Sequence, residues 1–404
     1  MDKVSAYIQE NWNKTIHSPD EMVGKVKVDR PYMSPCIVDV YTDLYYWDTY
    51  FINLGLMFDG YDEQVQNNLD NIAKFINILG YMPNANSLAD RSQPPLFTRG
   101  VYDFYMHKKD IKILERYIDV ILKEYRFWNT NRKNKIGLSS YGNSGSEADI
   151  LYNYEGLHER VEEYAKTPEE KIIIGKDIMA IAESGLDFNL RFRTPESKIA
   201  AHEFSHLDLD CILYDVEKKI SIMLRLLERN AESEEYEEYA IKRRELINKY
   251  YFDKEKGIYL DYNMKTGKFS EVLTAISFYP YTFGISNDQN SALRVLKQLE
   301  LSYGLSVAVN RGSDIYFQWD YPCMWPAATC LTYMGLKDIG LIADAKRIAQ
   351  KYNTVVSNIF EKTGRIWEKY DASNGQIAVT SEYATMEMMG WTAGVYRFFA
   401  KELA

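Results

Sequence analysis

Hydrophobic residues recur at three- and four-residue spacing along most of the chain, which is the pattern of amphipathic helices. Between Asp62 and Leu79, Val65, Leu69 and Ile72 open a stripe that continues to the end of the segment. The same spacing returns later in the chain, where it predicts helices over Ile111–Tyr125, Leu209–Met223 and Leu341–Val355. The whole chain is predicted to hold roughly a dozen helices.

Alternation with a period of two, which indicates half-buried strands, is short and rare. It occurs mainly in Gly257–Tyr262 and Arg365–Tyr370, each of which follows a predicted helix and a turn containing glycine. A weaker third copy lies in Phe127–Tyr141. Recurrence at intervals of roughly 110 residues indicates a toroid built from repeated helix pairs. Chance similarity among common turn sequences is the alternative interpretation.

The length of the chain bears on its domain organisation. A chain of 404 residues exceeds the usual size of one hydrophobic core, but toroids grow by adding helix pairs around an axis. No linker rich in proline or serine divides the sequence, and no low-complexity tract interrupts it. Residues 1–404 are therefore predicted to form a single domain.

Charge and composition exclude several classes of partner. The formal net charge is -10 and basic residues form no long cluster, which argues against nucleic acid. No stretch is long and apolar enough for a membrane span, and Met1–Asn13 lacks a signal-peptide core, so a cytoplasmic protein is predicted. The sequence does not specify an oligomeric state. The cysteines lack paired spacing and are predicted to be reduced thiols: Cys36, Cys211, Cys323 and Cys330.

The aromatic content permits a carbohydrate-binding protein. Tyrosine, phenylalanine and tryptophan make up 14% of the chain, and their rings suit the flat apolar faces of sugars. Loops between the predicted helices combine aromatics or prolines with carboxylates or amides, and in a toroid such loops gather at one end. These loop segments are Tyr45–Asp48, Pro83–Asn84, Arg91–Pro95, Glu183–Asp187, Gln318–Pro322 and Trp367–Tyr370.

These segments resemble the signatures of the trehalase family, in the same order along the chain. The Tyr-Trp-Asp-Ser-Tyr segment of that family is matched by Tyr46–Tyr50, and its Arg-Ser-Gln-Pro-Pro segment is identical to Arg91–Pro95. Its Glu-Ser-Gly-Trp-Asp segment is similar to Glu183–Asp187. Its Gln-Trp-Asp-x-Pro-x-Gly-Trp signature resembles Gln318–Trp325, with methionine replacing the glycine. Two further matches lie near the end of the chain, at Ser381–Tyr383 and Gly390–Val395.

The resemblance implies an all-α (α/α)6 toroid with short β-hairpins in its loops. It also implies a glycoside hydrolase that inverts the anomeric carbon, uses no metal or other cofactor, and binds a small carbohydrate. Inversion requires one protonated carboxyl group and one carboxylate on opposite faces of the sugar ring. The resemblance gives these roles to Asp187 as general acid and Glu382 as general base. The residues expected to contact the substrate are Trp47, Asp48, Asn84, Arg91, Gln93, Glu183, Trp319, Asp320 and Trp391.

Two family arginines are missing from their expected places. The family's Pro-Gly-Gly-Arg-Phe segment corresponds to Ile37–Tyr41, where Val40 takes the place of the arginine. A second arginine, in an Arg-Pro-Glu-Ser segment, is replaced within Tyr152–Gly156. Because neither valine nor asparagine reproduces the paired donors of arginine, the subsite for the leaving group is predicted to be altered. Trehalose, another α-glucoside, or a glucoside with a small polar leaving group are the candidate substrates.

Two other functions compete with this interpretation. The segment His202–His206 matches the His-Glu-x-x-His pattern of zinc metalloproteases. That pattern requires a continuous helix and a third ligand, whereas this segment lies between Pro195 and a helix beginning near Leu209. The other alternative is a catalytically silent toroid that only binds carbohydrate, but such a protein has no need for both Asp187 and Glu382.

Overall fold

The computed structural model describes residues 2–19, 26–37, 41–194, 198–312 and 317–404. Fourteen α-helices lie within these ranges, and none of them is both long and apolar enough to cross a membrane. The helices are α1 (Lys3–Asn11), α2 (Tyr46–Asp59), α3 (Asp62–Leu79), α4 (Phe97–Lys108), α5 (Ile111–Asn131), α6 (Glu147–Leu157), α7 (Pro168–Glu183), α8 (Leu207–Leu226), α9 (Asn230–Tyr250), α10 (Tyr279–Thr282), α11 (Gln289–Leu299), α12 (Pro326–Asp338), α13 (Ile342–Thr363) and α14 (Gly390–Leu403).

The described strands are two residues long and pair only antiparallel. They form the ladders β1–β2, β3–β6–β7, β4–β5 and β8–β9, with Phe252 opposite Tyr259 in β4–β5. The strands are β1 (Ile16–His17), β2 (Tyr32–Met33), β3 (Phe204–Ser205), β4 (Phe252–Asp253), β5 (Ile258–Tyr259), β6 (Tyr262–Asn263), β7 (Lys268–Phe269), β8 (Cys323–Met324) and β9 (Tyr370–Asp371).

Six helices form a closed inner ring. Helices α2, α4, α8, α10, α12 and α14 contact one another in that order, and α14 returns to pack against α2. Helices α3, α5, α9 and α13 pack outside them, and α11 lies beside the 3-10 turn that leads into α10. The outer helices α3, α5 and α13 carry the apolar stripes read from the sequence, because each buries only one face. The predicted all-α toroid with small hairpins is confirmed.

The repeated helix, turn and strand pattern has three structural outcomes. After α9 the chain forms the local hairpin β4–β5. After α5 a single bridge between Lys133 and Ser139 takes its place. After α13 the strand β9 pairs with β8, so Tyr370 lies opposite Met324 from another part of the chain. The copy after α13 thus connects that helix to the loop that precedes α12.

Two glycines allow α2 and α14 to approach closely. A Cβ atom built on Gly394 would lie 2.0 Å from the carbonyl oxygen of Phe51, and one on Gly55 would lie 2.7 Å from the Cα of Gly394. Both contacts involve backbone atoms, which cannot rotate away as the end of a side chain can. Only glycine fits at this crossing, where the first and last helices of the inner ring meet.

Replacing Gly394 by alanine is expected to destabilise the fold. Forcing a methyl group against the α2 backbone should lower the free energy of unfolding by about 1–3 kcal/mol. The matched control is Gly156→Ala, because Gly156 is an exposed position in α6 with no neighbouring atom within 4 Å of the added Cβ. Urea unfolding should show a lower midpoint for the first variant and an equal or higher midpoint for the second. Equal midpoints for Gly394→Ala and the unaltered protein would contradict the close crossing.

A second buried cluster lies beside the main core, around α6 and α7. It includes Trp128, Ile178, Phe188 and Leu213, all at most 1% exposed. Phe188 follows Asp187 directly, so its burial anchors the loop that carries this aspartate. The organisation of residues 1–404 as one domain stays a prediction.

Candidate active site

A cavity of about 250 Å³ opens at the end of the toroid where the inner helices begin. The first turn of α2, the loop before α4, the loop after α7 and the segments before α12 and α14 form its wall. Residues far apart in sequence therefore line one cavity, as predicted from the loop segments that combine aromatics with polar residues. Eight of the predicted site residues line it: Trp47, Asp48, Asn84, Arg91, Gln93, Asp187, Trp319 and Trp391.

Four tryptophans form one side of the cavity. The rings of Trp319 and Trp325 are parallel, with centroids 3.9 Å apart, and Trp391 meets both edge-on. Trp47 packs against Trp319 and Trp391. The indole nitrogen of Trp391 is buried and has no partner among the described residues. Aromatic walls of this kind suit a sugar ring, because the faces stack while polar atoms bind its hydroxyl groups.

Asp187 is a half-buried carboxyl group in the cavity wall. Burial raises its pKa, while the positive charges of Arg160 and Arg91 act in the opposite direction without cancelling the effect. Within the described ranges, no side chain donates a hydrogen bond to this carboxyl group. A partly desolvated carboxyl group without such donors favours its protonated form, which is the state a general acid needs.

Glu368 is a second carboxyl group in the cavity wall. The Tyr383 hydroxyl donates to its Oε1 at 2.9 Å, and the Lys369 ammonium donates to its Oε2 at 2.5 Å. Burial raises the pKa of Glu368, whereas these two donors, with the charge of Lys369, work to lower it. The sequence identified Trp367–Tyr370 as a polar aromatic loop but gave Glu368 no role. None of the family signatures matched in the sequence covers Trp367–Tyr370.

Glu382, the predicted general base, is not part of the cavity wall. Its Oε2 accepts from Arg160 Nε at 2.8 Å and Arg160 Nη2 at 2.5 Å, and its Oε1 accepts from the Gln318 backbone N–H at 2.7 Å. The side chain is only 3% exposed. Both carboxylate oxygens of Glu382 thus accept hydrogen bonds outside the cavity wall. Its role as general base stays a prediction.

The cavity contains an arginine that the sequence did not predict. Arg160 follows α6 in a turn and reaches the cavity wall. No motif marked it, because its position depends on how that turn packs. Asn153, in the segment where a family arginine is predicted to be replaced, accepts from Arg91 Nη1 at 3.3 Å and so helps to hold Arg91. Val40, at the other position predicted to lack an arginine, lies outside the described residues.

Glu183 and Asp320 were predicted to contact sugar, but neither lines the cavity. Both oxygens of Glu183 accept hydrogen bonds from Arg132, at 2.6 and 2.7 Å, and from the backbone N–H groups of Ser92 and Gly142. Burial pushes the pKa of Glu183 upward, but Arg132 outweighs it and holds the pKa below its usual range. Asp320 accepts from the backbone N–H groups of Leu190 and Tyr321. Both carboxylates brace the loops behind the cavity.

Removing Glu183 should cost much of the stability of the protein. The variant Glu183→Ala leaves the Arg132 guanidinium buried without its counter-charge, which typically costs about 3–5 kcal/mol. The control is Glu155→Ala, which breaks the exposed ion pair with Lys171 and should lower the free energy of unfolding far less, because solvent screens an exposed pair. Urea unfolding of both variants measures the difference. A similar decrease in the free energy of unfolding in the two variants would show that the buried pair of Glu183 and Arg132 adds little to stability.

The histidine pattern does not form a zinc site. His202 and Glu203 lie in a 3-10 turn and His206 follows β3, so the continuous helix that the metalloprotease pattern requires is absent here. His206 is buried, accepts from the Tyr141 backbone N–H and has its pKa lowered to about 3 by burial. Among the described residues, no group of three metal-binding side chains comes together.

The sequence of the whole chain matches one protein family. The model of the Trehalase family matches residues 2–404. A periplasmic trehalase of Pseudomonas aeruginosa is 28% identical over 91% of this chain and 70% of its own length. The trehalase of Homo sapiens is 26% identical over 88% of this chain and 64% of its own length. The chain thus spans about two thirds of the length of these curated relatives.

Solved structures show the same architecture. The neutral trehalase of Saccharomyces cerevisiae aligns with 99% of this chain and 80% of its own, with a TM-score of 0.77 and 22% identity. The mannosylglycerate hydrolase of Thermus thermophilus aligns over 98% of this chain and 100% of its own, with a TM-score of 0.67 and 15% identity. These structures support the fold, and the sequence match supports the family. The chain belongs to the trehalase family of glycoside hydrolases.

Proposed function

We propose that the chain is an inverting glycoside hydrolase that cleaves an α-glucosidic bond in a disaccharide or small glucoside. Trehalose is the first substrate to test. The observation that carries this proposal is the pair of carboxyl groups, half-buried Asp187 and buried Glu368, in the wall of one cavity lined by tryptophans. The charge of Asp187 acts on Glu368, since it contributes to the raised pKa of Glu368.

The reaction moves one proton through each carboxyl group. Asp187 donates its proton to the glycosidic oxygen as the bond to the anomeric carbon breaks. Glu368 accepts a proton from the water that attacks the same carbon from the opposite face. The products are the free leaving group and a glucose with inverted anomeric configuration. Return of the Glu368 proton to solvent and uptake of one by Asp187 restore the enzyme.

Glu368 suits the base role better than Glu382. A general base must reach a water molecule beside the substrate, and Glu368 lines the cavity whereas Glu382 does not. The Lys369 ammonium beside Glu368 favours its charged form. Glu382 accepts three hydrogen bonds, from two nitrogens of Arg160 and a backbone N–H, whereas Glu368 accepts one at each oxygen. We therefore assign to Glu382 the holding of Arg160.

The remaining cavity residues hold the glucose ring. Burial raises the pKa of Asp48 to about 8, so this carboxyl can donate a hydrogen bond to a hydroxyl group at neutral pH. Gln93 accepts from the Trp47 backbone N–H at 3.2 Å, which fixes its amide against the cavity. Arg91 brings a buried Nε that lacks a partner among the described residues. These polar groups face the ring hydroxyls while the tryptophans cover its apolar face.

A substrate screen with detection of the released anomer tests the proposal. Purified protein is incubated with trehalose, other α-linked disaccharides and small α-glucosides, and the first glucose released is followed by proton NMR. The proposal expects β-glucose from an α-linked substrate. Trehalose should give β- and α-glucose in equal amounts, because its leaving glucose keeps the α configuration. Release of α-glucose alone from trehalose, or of α-glucose from the attacked ring of another α-glucoside, would overturn inversion. Saturable binding without hydrolysis of any substrate would favour the silent carbohydrate-binding toroid.

The activity should depend on pH through both carboxyl groups. Activity falls at low pH as Glu368 takes up a proton and at high pH as Asp187 loses one. Because burial raises the pKa of both groups, both limbs should lie above the range of free carboxylic acids. The profile of kcat/KM against pH measures this, and the residual activity of Asp187→Asn on the same α-glucoside should lack the alkaline limb. If Asp187→Asn kept the alkaline limb, a group other than Asp187 would cause it.

The location in the cell belongs to the proposal as well. We retain the cytoplasmic location predicted from the sequence, although the matched relatives include periplasmic enzymes. Fractionation of the source cells followed by immunodetection tests it, and recovery outside the cytoplasm would overturn it.

A further inference from the structure

Lys369 is a fully buried lysine directly after the proposed general base. Its side chain is 0% exposed, and its ammonium group donates to Glu368 Oε2 at 2.5 Å. The nitrogen also lies 4.4 Å from the centre of the Tyr383 ring and 5.0 Å from that of Trp325. One carboxylate and two aromatic faces thus take the places that water occupies around an exposed ammonium group.

This buried ion pair does more than fill space. Removing an ammonium group from water is unfavourable, and apolar side chains of similar volume often give equal or greater stability than a buried pair. Glu368 lines the cavity, whereas Lys369 does not. The charge of Lys369 therefore acts at the cavity through Glu368.

A second donor holds the other oxygen of Glu368. The Tyr383 hydroxyl donates to Oε1 at 2.9 Å, and the same side chain supplies one of the two rings beside Lys369. Tyr383 precedes α14, whereas Glu368 and Lys369 follow α13, so two separate segments fix the carboxylate. A carboxylate has about four acceptor positions, and one donor at each oxygen leaves positions for the attacking water.

The other ionisable groups that interact with the charge of Glu368 are neutral or negative. They come from the loop after α7, the segment before α2, α2 itself, β8 and the loop before α14: Asp187, Tyr41, Cys36, Asp48, Cys323 and Tyr383. Burial acts most strongly to raise the pKa of Glu368, and Lys369 is the cation that most opposes this effect.

We propose that Lys369 is the positioning residue of the general base: its ammonium group, held between the rings of Tyr383 and Trp325, keeps the Glu368 carboxylate charged and in a fixed orientation toward the attacking water. This inference rests on the proposed function. Before the attack, the ammonium group stabilises the anion that accepts the proton. After the attack, the neutral carboxylic acid leaves the buried ammonium charge without its partner, which favours return of the proton to solvent.

The variant Lys369→Met removes the charge and keeps the length of the side chain. On the best substrate from the anomer screen, kcat should fall by about 10- to 100-fold while KM changes by less than about threefold, because Lys369 acts on the base and not on the sugar. The acidic limb of the kcat/KM profile should move to higher pH by about one unit or more, since Glu368 then takes up a proton more readily.

Two further variants accompany this measurement. Lys351→Met, at a lysine on α13 that is paired with Glu300, is the matched control and should leave kcat, KM and the acidic limb unchanged. Lys369→Gln keeps a donor near Glu368 Oε2 and loses only the charge, so its acidic limb should also move to higher pH. This variant decides the question if Lys369→Met does not fold.

The profile of Glu368→Gln separates failure of this inference from failure of the proposed function. Its residual activity should lack the acidic limb. A limb that survives in Glu368→Gln would overturn the assignment of Glu368 as the base, and the role of Lys369 with it. If Glu368→Gln lacks the limb but folded Lys369→Met or Lys369→Gln keeps it at its original pH, the ammonium group does not act on the base and this inference is wrong.

Discussion

Replacing Asp187 by asparagine should lower kcat by about 10³-fold or more on any substrate with a sugar or polyol leaving group. The amide has the size of the carboxylic acid, so the cavity keeps its shape, but it has no proton to transfer to the glycosidic oxygen. Steady-state kinetics with the best substrate from the anomer screen measure the loss. The loss should be far smaller with α-glucosyl fluoride, because fluoride departs without protonation.

Two controls accompany the Asp187 variant. Its urea midpoint should match that of the unaltered protein, since no described side chain hydrogen-bonds this carboxyl group. Asp320→Asn changes another buried aspartate that lies outside the cavity wall, and its effect on kcat should be much smaller. If Asp187→Asn retained full turnover, Asp187 would not be the general acid.

Glu368→Gln should abolish turnover to a similar degree, whereas Glu382→Gln should not. Only the first substitution removes a carboxylate that faces the cavity, so only it deprives the attacking water of a base. We expect a loss of about 10³-fold for Glu368→Gln and one of about 10- to 100-fold for Glu382→Gln, which only loosens Arg160.

Rescue by azide distinguishes Glu368 from Glu382 more clearly than the size of the loss in kcat does. A small anionic nucleophile attacks without needing a base, so sodium azide with α-glucosyl fluoride should restore turnover in Glu368→Gln and yield β-glucosyl azide. The same treatment should leave Glu382→Gln unimproved. The reverse pattern would restore Glu382 as the base, as the family signatures predict.

The sequence predicted the fold well, because the toroid depends on features that are local in the chain. The stripes around Val65, Ile118 and Ile348 place one face of each outer helix on the core, and the structure confirms those helices. Most of the cavity wall was also predicted, since residues such as Trp47, Arg91 and Trp319 lie in short segments whose order and spacing resemble a family.

The remaining features depend on tertiary contacts that local patterns do not encode. Glu368 and Glu382 both follow α13 in polar loops, and only packing decides which carboxylate faces the cavity. Arg160 lies in a turn without a motif, and its orientation follows from Glu382 and Phe188. Glu183 belongs to a family segment, yet its carboxylate is satisfied by Arg132 from another loop.

The crossing of α2 and α14 sets the order in which this protein can become active during synthesis. The ring closes only when Gly394 packs against Gly55, and the cavity includes Trp391 from that final inner helix. A nascent chain that has released α2 through α13 from the ribosome therefore holds both proposed carboxyl groups but no enclosed pocket. We therefore expect hydrolysis to begin only after α14 has been synthesised and has packed against α2.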